Sequence, residues 1–98
     1  MKDVFPKFIV EGNELIIAKC TFHRQLVSNK EKVKGGGLWK LDQEKKEFLL
    51  YGSSDDFGYA TAEDIKACID AGKVHAGRRN FSDYTFYLNT GYETIKLN

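Results

Sequence analysis

One histidine, one lysine and two glycine-rich runs are the residues of this chain whose types and spacing could do chemistry. His23 closes an apolar run and leads into a polar one. With an ordinary pKa of about 6.5, a neutral imidazole there can take a proton from water at neutral pH. Lys7 offers a positive charge on the first apolar segment, Phe5-Pro6-Lys7-Phe8-Ile9-Val10. Gly35-Gly36-Gly37 and Gly52-Ser53-Ser54 read as two turns. Glycine tolerates positive φ and lets consecutive N–H groups point outward, which builds a concave anion site without a helix. The two runs flank a hairpin-like stretch, so both are expected at the same end of one strand pair. The chemistry the two glycine runs suggest is the binding of a phosphate or carboxylate.

Residues 35–58 carry a longer pattern: the glycine triplet, the lysine-containing turn Asp42-Gln43-Glu44-Lys45-Lys46, then Tyr51-Gly52-Ser53-Ser54-Asp55-Asp56-Phe57-Gly58. This run resembles the Janus or phosphohistidine phosphatase family, whose members carry Gly-Gly-Gly, a lysine-rich turn and a Tyr-Gly-x-Ser-x-x-(Tyr/Phe)-Gly element. The resemblance extends from Phe5 to Cys68 and is specific over Gly35 to Gly58. It implies that His23, matched through Phe22-His23 and the downstream Leu26 to a strand-end Tyr-His pair, is the catalytic histidine. It also implies that Lys7 pairs with the substrate phosphate, and that the Ser54 hydroxyl and backbone N–H groups around Gly36, Gly37, Ser53, Ser54 and Asp56 hold its oxygens. Two positions depart from the family. Asp56 stands where a small neutral residue is expected, so its carboxylate must point away and only its N–H face a phosphate. Leu38 replaces an arginine, and a charge-assisted clamp would have to come from Arg24, Lys34, Arg78 or Arg79. The implied activity is metal-independent hydrolysis of the N–P bond of phosphohistidine in a protein partner, with His23 as general base or, in a covalent variant, as nucleophile. The alternative, which Asp56 and Leu38 favour, is a non-catalytic phosphate-binding or protein-interaction module on the same fold.

The elements that must position these groups follow from local pattern. Phe8 to Val10 and Leu15 to Phe22 read as strands around Gly12-Asn13, which can supply the positive-φ pair of a two-residue hairpin. Residues 23–34 lose periodicity and read as a mobile loop. Leu38 to Leu41 and Glu47 to Tyr51 form a second hairpin across the charged turn. Thr61 with Asp64 approximates a capping box, and Ala62, Ile65, Cys68, Ile69 and Gly72 fall at helical spacing. Tyr84 to Asn89 and Tyr92 to Leu97 alternate around Thr90-Gly91 as a third hairpin, and Lys73 to Asp83 reads as irregular. The expected architecture is α+β: an antiparallel or mixed sheet of about six strands with one short helix on a face. One geometric difficulty is built in. A two-residue turn at Gly12-Asn13 sets Lys7 opposite Ala18, and alternation then sends Lys7 and His23 to opposite faces. A bulge, or an end to pairing before Phe22, is needed to bring them together.

Composition bounds the rest. Ninety-eight residues, 42% hydrophobic, with seven Phe, five Tyr and one Trp, make a single domain, since a chain this short has room for one core. Fifteen basic against fourteen acidic residues leave a net charge of +1, without the basic stripe of a dedicated nucleic-acid binder. Basic and aromatic residues do mix between Arg78 and Tyr87, but aromatic alternation is more often core. Two cysteines are too few to staple a secreted mini-domain, so a reduced, cytoplasmic setting is expected. No apolar run approaches a membrane span. Cys20, His23, Cys68 and His75 are zinc-ligand types, yet Cys20 and His23 point to opposite faces of a strand and Cys68 lies on the apolar helix face. No metal or cofactor is expected, and the expected partner is a phosphorylated protein or a small phospho-ligand.

Overall fold

Gly12 takes a positive φ of 62°, and the two seven-residue strands it joins, β1 (Phe5–Glu11) and β2 (Glu14–Cys20), pair in antiparallel register with Lys7 opposite Ala18. Among the described residues Gly12 and not Asn13 carries the positive φ, as a turn with glycine at its first central position requires. The structure is a computed structural model and describes residues 4–77 and 81–98. After β2 come two short 3₁₀ turns, His23–Leu26 and Lys30–Lys32. Then follow β3 (Val33–Asp42), β4 (Glu47–Tyr51), α1 (Ala62–Asp70), β5 (Val74–His75), β6 (Thr85–Asn89) and β7 (Thr94–Lys96).

The strands form one seven-stranded sheet in the order β5-β2-β1-β3-β4-β6-β7. It is mixed: β2 with β5 and β4 with β6 run parallel, the other neighbours antiparallel. The architecture is therefore α+β with one helix, as expected, and with one strand more than the expected six. The extra strand is β5, two residues long, inside the segment read as irregular. It carries too few side chains to show a period, and its pairing with Leu15 and Ile16 is a tertiary event.

Alternation assigns the two faces. Phe8 and Val10 of β1, Leu15 and Ile17 of β2, Phe48 and Leu50 of β4 and Phe86 and Leu88 of β6 form one buried cluster, which Ile65 and Cys68 of α1 join. Thr61 begins the helix by accepting the Asp64 N–H at 3.2 Å. Phe48 is the centre of the aromatic packing, stacked on Phe86 (centroids 5.1 Å, planes 3° apart) and edge-on to Phe81 (4.7 Å, 86°). The opposite, outer face carries Lys7, Ile9 and Leu38, and this is the face on which the candidate site lies. Between Val10 and Glu11 the register with β3 slips, so that Val10 faces Gly35 but Glu11 faces Val33. That bulge frees Lys34 to pair with Asp64 at 3.7 Å.

Candidate functional site

The glycine triplet is not a turn. Gly35, Gly36 and Gly37 lie inside β3, facing Val10, Ile9 and Phe8 of β1. Their lack of side chains serves close approach on three sides. A Cβ on Gly35 would stand 2.5 Å from the Tyr59 carbonyl oxygen, one on Gly36 2.6 Å from the Phe8 carbonyl oxygen and 3.1 Å from His23 Cδ2, and one on Gly37 2.4 Å from the Tyr51 carbonyl oxygen. The second glycine run does sit at the same sheet end, with the Gly52 carbonyl oxygen 3.1 Å from the Gly37 Cβ position. The expected adjacency is present, with a strand in place of the first turn.

His23 reaches this strand because β2 stops early. Pairing ends at Cys20, two residues before the expected limit. The freed N–H groups of Thr21 and Phe22 are both taken by Gln25 Oε1, at 2.9 and 2.8 Å. That clasp winds residues 23–26 into a 3₁₀ turn and folds His23 back over Ile9 and Gly36, on the face that carries Lys7. The early end of pairing thus resolves the facing difficulty. His23 is buried, 5% exposed. Its Nε2 lies 2.8 Å from the Gly37 carbonyl oxygen, an acceptor only, so Nε2 carries the proton and Nδ1 the lone pair. Burial is the largest influence on the ring and pushes its pKa below the ordinary 6.5. The Gly37 carbonyl opposes that shift, Lys7 adds to it, and Asp56 and Asp55 oppose it. The ring is therefore neutral at pH 7, with Lys7 and the Asp55-Asp56 turn close enough to act on it.

The Ser54 loop forms the other wall. Ser54 is buried and exchanges two backbone bonds with Gly58, N–H to O at 3.0 Å and O to H–N at 2.8 Å. Its Oγ accepts the Asp56 and Phe57 N–H groups, each at 3.2 Å. Gly36 N–H also donates to the Gly58 carbonyl, at 3.1 Å. So the amides of Gly36, Ser54 and Asp56 all have internal acceptors, whereas those of Ser53 and Asp55 have none among the described hydrogen bonds. The Asp56 and Ser53 side chains are exposed. Lys7, His23, Gly36, Gly37 and the loop from Ser53 to Asp56 are thereby gathered at one end of the outer face.

The remaining candidates stand apart. Arg24 lies over the Phe22 ring at 4.2 Å, Lys34 is paired with Asp64, and Arg78 and Arg79 fall outside the described residues. His75 meets Glu14 at 3.2 Å on the edge of the sheet, away from His23. Cys68 is in the inner core, its thiol pushed up to about 11 by burial. Among the described residues no three His, Cys, Asp or Glu gather where a metal could be held, and no helix is long and apolar enough to cross a membrane.

Compared with protein-family models, curated proteins and solved structures, the chain matches none of them.

Two residues that position the site are invisible to motif reading. Gln25 follows Phe22 at capping-box spacing, but phenylalanine has no hydroxyl to signal the box. Glu11, only 5% exposed, accepts from Ser28 Oγ, from Ser28 N–H at 2.9 Å and from Asn29 N–H at 3.2 Å. It ties the far end of the 23–29 segment to β1, and its significance appears only when the chain is folded.

Proposed function

We propose that the chain is a phosphohistidine phosphatase-like hydrolase acting on the N–P bond of phosphohistidine in a protein partner. The observation that carries the reading is the His23 ring: neutral, fixed in its Nε2–H form by the Gly37 carbonyl, and set beside a lysine and a serine-containing loop. The resemblance of residues 35–58 to the Janus family, through which His23 and Lys7 were singled out, also supports it. In this mechanism Lys7 and the amides of Ser53 and Asp55, which have no acceptor among the described residues, bind phosphoryl oxygens and stabilise the charge that develops on them. His23 Nδ1 takes a proton from water as the water oxygen bonds to phosphorus. The N–P bond breaks, its electron pair returns to the leaving imidazole, and that ring leaves as a neutral base because it was protonated before cleavage. Inorganic phosphate and histidine are the products.

Positioned proton transfer contributes roughly 10²–10⁴-fold to a rate, so His23→Ala lowers phosphoramidate hydrolysis by that order while the protein stays folded. Phosphate release and circular dichroism measure both. Activity undiminished in the variant assigns the chemistry to another group. A second reading has its own observation: the Gly36 and Ser54 amides, which a phosphate cradle would use, are spent on the Gly58 carbonyl, and Leu38 offers no clamp. On that reading the fold is a non-catalytic module for a phosphorylated partner. Wild-type protein that binds phosphate, seen as amide shifts at Ser53 and Asp55, yet releases none from phosphoramidate selects it.

A further inference from the structure

Beside the Ser54 loop, where the parallel strands β4 and β6 end and α1 begins, opens a cleft of about 710 Å³. The carboxyl ends of parallel strands linked through a helix are where such units place ligands, and the volume lies in the range of ligand clefts. None of the side chains lining it is charged, although 30% of the chain is Asp, Glu, Lys or Arg. An uncharged wall desolvates a neutral occupant cheaply and a charged one at a penalty. Leu88 is part of the lining, and Tyr59 and Tyr92 stand at the cleft 74% and 99% exposed.

Those tyrosines are held by fixed backbone. Tyr59 is bridged to Gly36. The Tyr92 turn is pinned by Asn89 Oδ1, which accepts Gly91 N–H at 2.8 Å, and by Thr90 Oγ1, which accepts the N–H groups of Tyr92 and Glu93 at 3.3 and 3.2 Å. A fully exposed aromatic ring on an ordered turn contributes no burial within the chain, whereas ring and fixed backbone together lose little entropy on meeting a partner. The cleft is also continuous with the candidate site. Its wall includes Gly52 and Ser53, and Gly52 abuts Gly37, whose carbonyl holds His23. Ser53 belongs both to the cleft wall and to the loop proposed to hold the phosphoryl group, so the next one or two residues of an extended substrate, at about 3.4 Å each, fall within reach of the cleft.

We propose that this cleft seats an aromatic or aliphatic side chain of the substrate polypeptide, one or two positions from the phosphohistidine, against Tyr59 and Tyr92. The inference rests on the phosphatase reading for the identity of the substrate, but binding in the cleft is measured without turnover. The test uses two unphosphorylated peptides, alike except that the residue beside the histidine is Phe in one and Asp in the other, titrated into the full chain and followed by amide shifts. The expected result is shifts at Gly52, Tyr59 and Gly91, with the Phe peptide bound at least about ten-fold more tightly than the Asp peptide. Tyr92→Ala and Tyr59→Ala, both at exposed side chains, remove that preference and leave phosphoramidate hydrolysis unchanged. Equal affinities, or shifts absent from the cleft, overturn the proposal. Wild-type protein that prefers the Phe peptide but hydrolyses no phosphoramidate defeats the phosphatase reading and leaves the cleft as a peptide site.

Discussion

Gly36 has space for a hydrogen and for nothing larger, because a Cβ there would stand 2.6 Å from the Phe8 carbonyl oxygen and 3.1 Å from the His23 ring. Adding one methyl group forces the β1–β3 ladder to shift and presses on the imidazole. Gly36→Ala is therefore expected to cost about 1–3 kcal/mol, the usual scale of overpacking, measurable by urea denaturation. If the ring moves as well, hydrolysis falls with it. The protonation of His23 gives a second test at this scale. A base must be unprotonated to act, and burial holds its pKa below 6.5. The rate of phosphoramidate hydrolysis should rise with pH through a midpoint below 6.5 and be level by neutral pH. An imidazole proton shift in an NMR titration should give the same midpoint. The sign for stability agrees: below 6.5 the unfolded chain binds a proton that the folded ring resists, so His23 contributes to unfolding as acid is added. A rate midpoint above 6.5 rejects His23 as the base.

β3 shows why an element can be mistaken when its residues are read alone. Glycine is depleted in strands and enriched in turns, so a triplet of it reads as a turn. In the structure each glycine answers a different close neighbour, and none of those neighbours is near in sequence. The segment 23–34 was likewise expected to be a mobile loop, yet it is tied at both ends, by Gln25 to the end of β2 and by Glu11 to Ser28 and Asn29. Burial, the largest influence on Glu11, would raise its pKa. The bonds from Ser28 and Asn29 and the charge of Lys32 together outweigh it and hold the carboxyl below its ordinary 4.5. Glu11→Gln should destabilise the protein by about 1–3 kcal/mol, because a buried group loses charge-assisted partners. The difference between wild type and variant should be full above pH 4.5 and shrink as pH falls through the lowered folded value. Denaturation of both proteins at a series of pH values tests this; a gap that persists unchanged in strong acid excludes the carboxylate as its source.

Across the whole molecule the sheet order places β1, β3 and β4 in the middle and the two-residue β5 and three-residue β7 at the edges. Amide hydrogen exchange should be slowest at Ile9, Val10 and Leu50, and fastest among the strands at β5 and β7, since edges open without unfolding the core. Uniform protection across the sheet would mean that the seven strands open as one unit. The α+β class, the helix from Thr61 and the three hairpins were legible because each depends on contacts only a few residues apart: alternation, a cap, a turn residue. Lys7 opposite Ala18 was legible for the same reason. What the residues could not disclose was where β2 stops, since that depends on Gln25 competing for two N–H groups. Nor could they disclose that Gly36 lies beneath His23, that Gly58 takes the amides of Gly36 and Ser54, or that two exposed tyrosines flank an uncharged cleft. Three of these joins bring together residues 13 to 33 apart, Gly36 with His23, Gly36 with Gly58 and Tyr59 with Tyr92; the bonds of Gln25 and of Ser54 with Gly58 are local but carry no residue pattern that signals them. Sequence by itself determined which local pieces form and which groups could carry chemistry; only tertiary packing decided which of those groups meet, because the free energy of each meeting resides in contacts that no local pattern encodes.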